Sequence, residues 1–120
     1  MSRSVNKITL IGNVGQDPEV RTTSADTKLV KLSLATNHRW KDGSGEAQER
    51  TDWHRLTCWN KLAEIVEEFV SKGDRLYVEG RVEYGSYERD DGVSVPTVDI
   101  HVGELVMLGD SGGLYGDGDL

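Results

Sequence analysis

The run Trp53-His54-Arg55-Leu56-Thr57-Cys58-Trp59 holds the side chains best equipped for chemistry in this sequence, and that chemistry is recognition rather than bond making. Read as a β-strand, it sends successive side chains to opposite faces. Trp53, Arg55, Thr57 and Trp59 then share one face, and His54, Leu56 and Cys58 the other. A core face does not repeat a cation, and a solvent face does not repeat tryptophan. Both features fit a surface that stacks unpaired nucleobases, a contact worth about 1–3 kcal/mol per base and tolerant of sequence. Arg55, between the indoles, is placed to hold a phosphate or to stack by its guanidinium plane. Trp40, Tyr84 and Tyr87 stand on flanking segments that extend the surface, and Arg3, Lys7, Arg21, Arg39, Lys41, Lys61 and Lys72 are candidate phosphate contacts.

The alternatives that make bonds are weak. Cys58 and His54 are four residues apart, which on a strand is about 13 Å and out of hydrogen-bond reach. Three dispersed histidines and one cysteine lack any zinc spacing. Glu64, Glu67 and Glu68 fall on what reads as a solvated helix face. The reading is therefore of a protein that is not an enzyme and needs no cofactor or metal.

These residues need a scaffold, and periodicity supplies one. Val5 to Val14 reads as a first strand ending in the turn cluster Gly15-Gln16-Asp17-Pro18. Lys28 to Thr36 alternates, with Val30, Leu32 and Leu34 inward. Asp42-Gly43-Ser44-Gly45 is a turn between two long arms, the second running into Thr51 to Trp59. A helix follows, with Asn60 as N-cap, Leu62, Ile65, Val66 and Phe69 on its inner face, and Lys72-Gly73 as its stop. Asp74 to Val82 returns to alternation with a bend at Gly80, and its arm passes through Tyr84 and Tyr87 to a turn at Asp90-Asp91-Gly92. In the last strand, Val93 to Leu108, Val98, Ile100 and Val102 alternate with Thr97, Asp99 and His101. Five strands with one helix between the third and fourth match the order of an all-β OB-fold barrel over residues 1–108. Residues 109–120, rich in glycine and aspartate, read as a short flexible tail.

A chain of 120 residues has room for one such domain. Its net charge of −7 argues against a nucleic-acid partner only until it is divided. Residues 1–61 carry +3 and residues 62–120 carry −10, so the half that holds the tryptophan face is the basic one. No apolar run is long enough to span a bilayer, no signal segment opens the sequence, and one cysteine fits a reducing compartment. A cytoplasmic, nucleoid-associated location is expected, with no membrane partner.

The sequence also resembles the bacterial-type single-stranded DNA-binding proteins. The likeness lies in Ser2-Arg3, Val5-Asn6-Lys7, the stretch Ile11-Gly12-Asn13-Val14-Gly15-Gln16-Asp17-Pro18-Glu19-Val20-Arg21, Leu34-Ala35-Thr36, Thr51-Asp52-Trp53-His54-Arg55, Lys61-Leu62-Ala63-Glu64, Lys72-Gly73 and Tyr77-Val78-Glu79-Gly80. It is collinear over about residues 2–108. The resemblance implies base stacking at Trp40, Trp53, Trp59, where relatives usually have phenylalanine, and Tyr87, where they often have tryptophan. It implies backbone contacts at Arg3, Lys7, Arg21, Arg55, Lys61 and Lys72, and a subunit interface at His54. It further implies a homotetramer that protects single-stranded DNA in replication, recombination and repair, and recruits replication and repair proteins through an acidic C-terminal tip. Two departures stand out: the arm Arg81-Val82-Glu83-Tyr84-Gly85-Ser86 is less basic than in many relatives, and Gly118-Asp119-Leu120, acidic and apolar, stands where relatives often carry a long low-complexity linker and a Pro-Phe tip, which fits a minimal tip, a tailless version or a truncation alike. From the residues alone DNA and RNA stay undivided. A primosome-type OB protein, or an OB module for protein or oligosaccharide, remains the competing reading.

Overall fold

The computed structural model describes residues 3–110. Five strands close the barrel: β1 (Ile8–Val14), β3 (Lys28–Lys41), β4 (Ala47–Trp59), β5 (Asp74–Glu88) and β6 (Ser94–Asp110). Around the barrel they run β1, β3, β4, β6, β5 and back to β1; β4 and β6 are parallel and the other contacts antiparallel. Helix α1 (Asn60–Phe69) joins β4 to β5. This is the expected all-β OB-fold order, with closure leaving few free sheet edges.

Alternation places the core as the sequence requires. Val30, Leu32 and Leu34 of β3, Leu56 and Cys58 of β4, Leu76 and Val78 of β5, and Ile100 and Val102 of β6 meet inside with Val14. Two hairpins, β3–β4 and β5–β6, run on past the barrel as arms. Val98 lies on the second arm and is exposed, whereas Ile100 and Val102 of the same face are buried in the barrel. At Gly80 the β5–β6 register shifts, and a methyl group there would lie 2.3 Å from the His101 carbonyl oxygen, so the expected bend is also a site of close backbone approach.

Three local expectations are corrected, and one strand is added. The first strand begins at Ile8 rather than Val5, because the Asn6 side chain takes over the pairing: its Nδ2 donates to the Val82 carbonyl at 2.8 Å and the Val82 N–H donates to its Oδ1 at 3.0 Å. A short strand β2 (Glu19–Thr22), without the alternation that marks the other strands, extends the sheet along β3. Asn60 does not cap the helix; Trp59 holds the N-cap place without a side-chain bond, and Asn60 turns the corner from β4 with φ of 55°, a conformation asparagine tolerates. The helix also faces the core differently, burying Ala63 and Val66 with Val70 just beyond it, while Leu62 packs at the margin and Phe69 is 57% exposed. Small Ala63 lets the helix axis approach the barrel mouth, which moves the bulkier residues to the flanks.

Candidate nucleic-acid interface

Cross-strand pairing builds one outward row on two strands. Trp53 lies opposite Ala35, Arg55 opposite Ser33, Thr57 opposite Lys31 and Trp59 opposite Leu29. Trp53 is 61% exposed, and its ring rests on Gly15, where a methyl group would sit 2.2 Å from Cζ3. The Gly15 N–H donates to the Ser33 carbonyl at 3.0 Å, which ties that backbone to β3 beneath the indole. Trp59 is half-buried at the end of β4, and Thr57 between the tryptophans is buried.

Two grooves meet along this row. One passes Gln16, Arg21, Lys31, Ser33, Arg55 and Asp99; the other passes Lys31, Thr57, Trp59, Glu83, Tyr84 and Asp99. Lys31 and Asp99 belong to both, so the path from Arg55 to Trp59 is continuous. The Arg55 Nε stands 3.5 Å from Asp99 Oδ1. Flat aromatic faces, a cation between them and an open groove suit a strand of planar rings joined by anionic links.

The other sequence-derived aromatics are elsewhere. Trp40 pairs with Gln48 and lies an odd number of residues from Ala35, so alternation puts it on the opposite side of the β3–β4 arm from Trp53. There it stacks on His38, with ring centroids 5.2 Å apart and planes 20° apart. Tyr87 lies opposite Val95 near the tip of the β5–β6 arm, beside a hollow lined by Glu88, Arg89, Asp90 and Asp91. His54 is on the inner side of β4, half-buried, with Nε2 and the Thr36 hydroxyl 2.9 Å apart. Burial pushes the Cys58 thiol up to about 12, keeping it neutral. Among the described residues no cluster of three or more histidine, cysteine, aspartate or glutamate side chains is arranged to hold a metal.

Residues 5–108 match the single-strand binding protein family. The chain belongs to that family. It is 44% identical over 112 residues to the single-stranded DNA-binding protein of Xanthomonas campestris pv. campestris, covering 93% of this chain and 65% of that protein. It is 42% identical to single-stranded DNA-binding protein 1 of Chlorobaculum tepidum, covering 94% and 72%. Among solved structures, the Plasmodium falciparum SSB in complex with ssDNA superposes with a TM-score of 0.83 at 31% identity, over 90% of this chain and 98% of that one. A deletion mutant of the Thermus aquaticus single-stranded DNA binding protein gives 0.79 at 29%, over 93% and 54%. The chain thus spans about two thirds of the length of the curated relatives it matches.

In this single-strand binding protein family member the six cations named from the resemblance divide in two. Lys7, Arg21 and Arg55 are held by Glu79 at 3.3 Å, Glu19 at 3.0 Å and Asp99 at 3.5 Å. Arg3, Lys61 and Lys72 have no carboxylate partner among the described residues and are exposed. Of the two further cations, Arg39 is held by Glu49 at 2.9 Å, while Lys41 is free of such a partner. Lys31, a further cation of β3, likewise has no carboxylate partner among the described residues and lies within both grooves. A signal for it existed: counting back from Ser44 at the centre of the β3–β4 hairpin pairs Lys31 with Thr57. Glu83 and Asp99, opposite each other across β5 and β6, were missed as well.

Proposed function

We propose that this chain binds single-stranded DNA with little regard to sequence. Bases stack on Trp53 and Trp59, and phosphates run past Lys31 and Arg55. The observation that carries this is the outward row Trp53, Arg55, Thr57, Trp59 above two continuous grooves, in a chain 31% identical to an SSB solved with ssDNA. Tyr84 walls the groove beside Trp59 and extends it along the β5–β6 arm. Trp40 and Tyr87 engage the strand where it leaves the barrel along the arms. Arg3, Lys7, Arg21, Lys61 and Lys72 contribute to the positive field and to individual phosphates. The role is protection of unpaired DNA in replication, recombination and repair, without catalysis.

Self-assembly, with four subunits, is part of the same reading. Its support is an outward row across three strands, Ile11, Tyr77 and Val106, in which Ile11 and Val106 are exposed apolar side chains. Beside that row Arg75 carries a buried Nε without a hydrogen-bond partner, over a hollow also lined by Asn13, Thr36 and Asn37. Thr36 is the partner of His54, so the proposed interface histidine adjoins this surface. Recruitment of replication and repair proteins by the acidic C-terminus concerns residues 111–120, which lie outside the described residues, as does most of the expected tail.

The test is a titration of intrinsic tryptophan fluorescence with oligo-dT at two salt concentrations, run beside light scattering. Strong quenching at low salt and marked loss of affinity at high salt are expected, since each phosphate neutralised adds about −0.7 to the log-log slope. A sugar or protein module would give salt-insensitive binding or none with oligo-dT. Scattering at the monomer mass would overturn the assembly.

A further inference from the structure

We propose that Asp99 is an internal competitor for Arg55, a resident carboxylate that moderates how tightly the stacking face holds a nucleic-acid backbone. The inference rests on the proposed use of the Trp53–Trp59 face for DNA and deepens it. Three observations carry it.

Asp99 is the more enclosed member of the pair. The parallel register of Leu56 with Ile100 and Thr57 with His101 brings Asp99 of β6 alongside Arg55 of β4. The Asp99 side chain is 25% exposed on a barrel strand, whereas the Arg55 side chain is 61% exposed. The guanidinium therefore comes to the carboxylate, with Nε at 3.5 Å from Oδ1.

Asp99 also has a like charge facing it. Glu83 lies directly opposite across β5 and β6 and lines the same groove, an arrangement that disfavours both carboxylates unless each finds a cation. Glu83 has Arg81 at 3.2 Å; Asp99 has Arg55. Among the described residues Arg55 is the cation that offsets Asp99 against this like charge.

Finally, Asp99 stands in the path rather than at its margin. It lines both grooves between Arg55 and Trp59, together with Lys31, which has no carboxylate partner among the described residues. A phosphate arriving at Lys31 meets a free cation. One arriving at Arg55 must displace Asp99 and then lie beside its negative charge. Arg55 thus contributes less than its exposure and position would give, and the central stretch of the face is kept weak enough to release its strand.

The experiment compares Asp99→Asn, Arg55→Ala and the double variant with the unmodified protein by oligo-dT fluorescence titration at low and high salt. Circular dichroism checks folding, and Asp99→Ser serves if the asparagine variant misfolds. Glu64→Gln, on the exposed helix face, controls for a unit change of net charge. Asp99→Asn is expected to tighten binding about 1.5- to 5-fold at low salt, the range open to an exposed ion pair, and to steepen the log-log salt slope by up to about 0.7. In the Arg55→Ala background the same substitution should gain markedly less, because only the direct repulsion between Asp99 and a phosphate is then relieved, and Glu64→Gln should leave binding unchanged. Unchanged or weaker binding by Asp99→Asn, a gain undiminished in the absence of Arg55, or an equal gain from Glu64→Gln would each overturn the proposal. If Arg55→Ala weakens binding while Asp99→Asn is silent, the proposal alone falls. If neither Arg55→Ala nor Trp53→Ala alters binding or quenching, the stacking face itself falls, and the proposal with it.

Discussion

Replacing Gly15 with alanine tests the site through a residue with no recognition chemistry of its own. The added methyl group would stand 2.2 Å from Cζ3 of Trp53, whereas carbon atoms in contact sit about 3.5–4.0 Å apart, so one of the two must retreat by about 1.3–1.8 Å. The backbone is the less able to move, because the Gly15 N–H is bonded to the Ser33 carbonyl at 3.0 Å. Trp53 is exposed, so its ring swings out at little cost to the fold. Its stacking contribution is then misdirected, with a loss of up to about 1–3 kcal/mol, or roughly 5- to 150-fold in affinity. Fluorescence titration with oligo-dT should show that loss, while the urea midpoint moves little. In a Trp53→Ala background the Gly15→Ala change should have no further effect on binding. Wild-type affinity with full quenching in Gly15→Ala, or an undiminished loss in the double variant, would refute the reasoning.

Three further expectations concern the scaffold. Val66→Ala should destabilise the fold by about 2 kcal/mol, as removal of a buried branched side chain does, whereas Phe69→Gln should change the denaturation midpoint little despite the larger residue lost. Gly80→Ala should cost about 1–3 kcal/mol by forcing β5 and β6 apart at the His101 carbonyl, read in the same denaturation experiment. The Asp42 carboxylate accepts from the Ser44 hydroxyl, the Glu46 and Ser44 N–H groups and the Gln48 amide, which lower it from 3.8 to about 2. Because the folded value lies below the unfolded one, its contribution is complete above about pH 4 and disappears as pH falls toward 2. Asp42→Ala should therefore lower stability at neutral pH and flatten the acid limb of a thermal-unfolding profile. An unchanged acid limb would remove Asp42 from the account.

Much of this arrangement was legible in sequence because it depends on period two. Val30, Leu32 and Leu34 inward, and Trp53, Arg55 and Trp59 outward, follow from alternation alone, and the Asp42 to Gly45 turn fixes the register of β3 against β4 well enough to bring Lys31 to Thr57. Asp99 was not legible in that way. It reaches Arg55 through the parallel contact of β4 with β6, two strands with a helix and another strand between them, and no hairpin sets that register. Helix α1 was legible as a helix, but its buried side depends on how closely the axis approaches the barrel, which favoured Ala63 over Phe69. Trp40 shows the limit of reading aromatic content without parity: it is aromatic and on the right arm, yet the register turns it away from Trp53. The ion pairs that occupy Lys7, Arg21 and Arg55 depend on side-chain neighbours that no local pattern reports.

The central claim is that bases lie on the Trp53 and Trp59 face, and photo-crosslinking tests it most directly. An oligonucleotide carrying 5-iodo-deoxyuridine is bound at low salt and irradiated, and the adduct is located by mass spectrometry of the digested protein. The expected result is covalent attachment at Trp53 or Trp59, lost for each position when it is replaced by alanine. Attachment confined to Trp40 or the β5–β6 arm, with Trp53 and Trp59 unmodified, would contradict it.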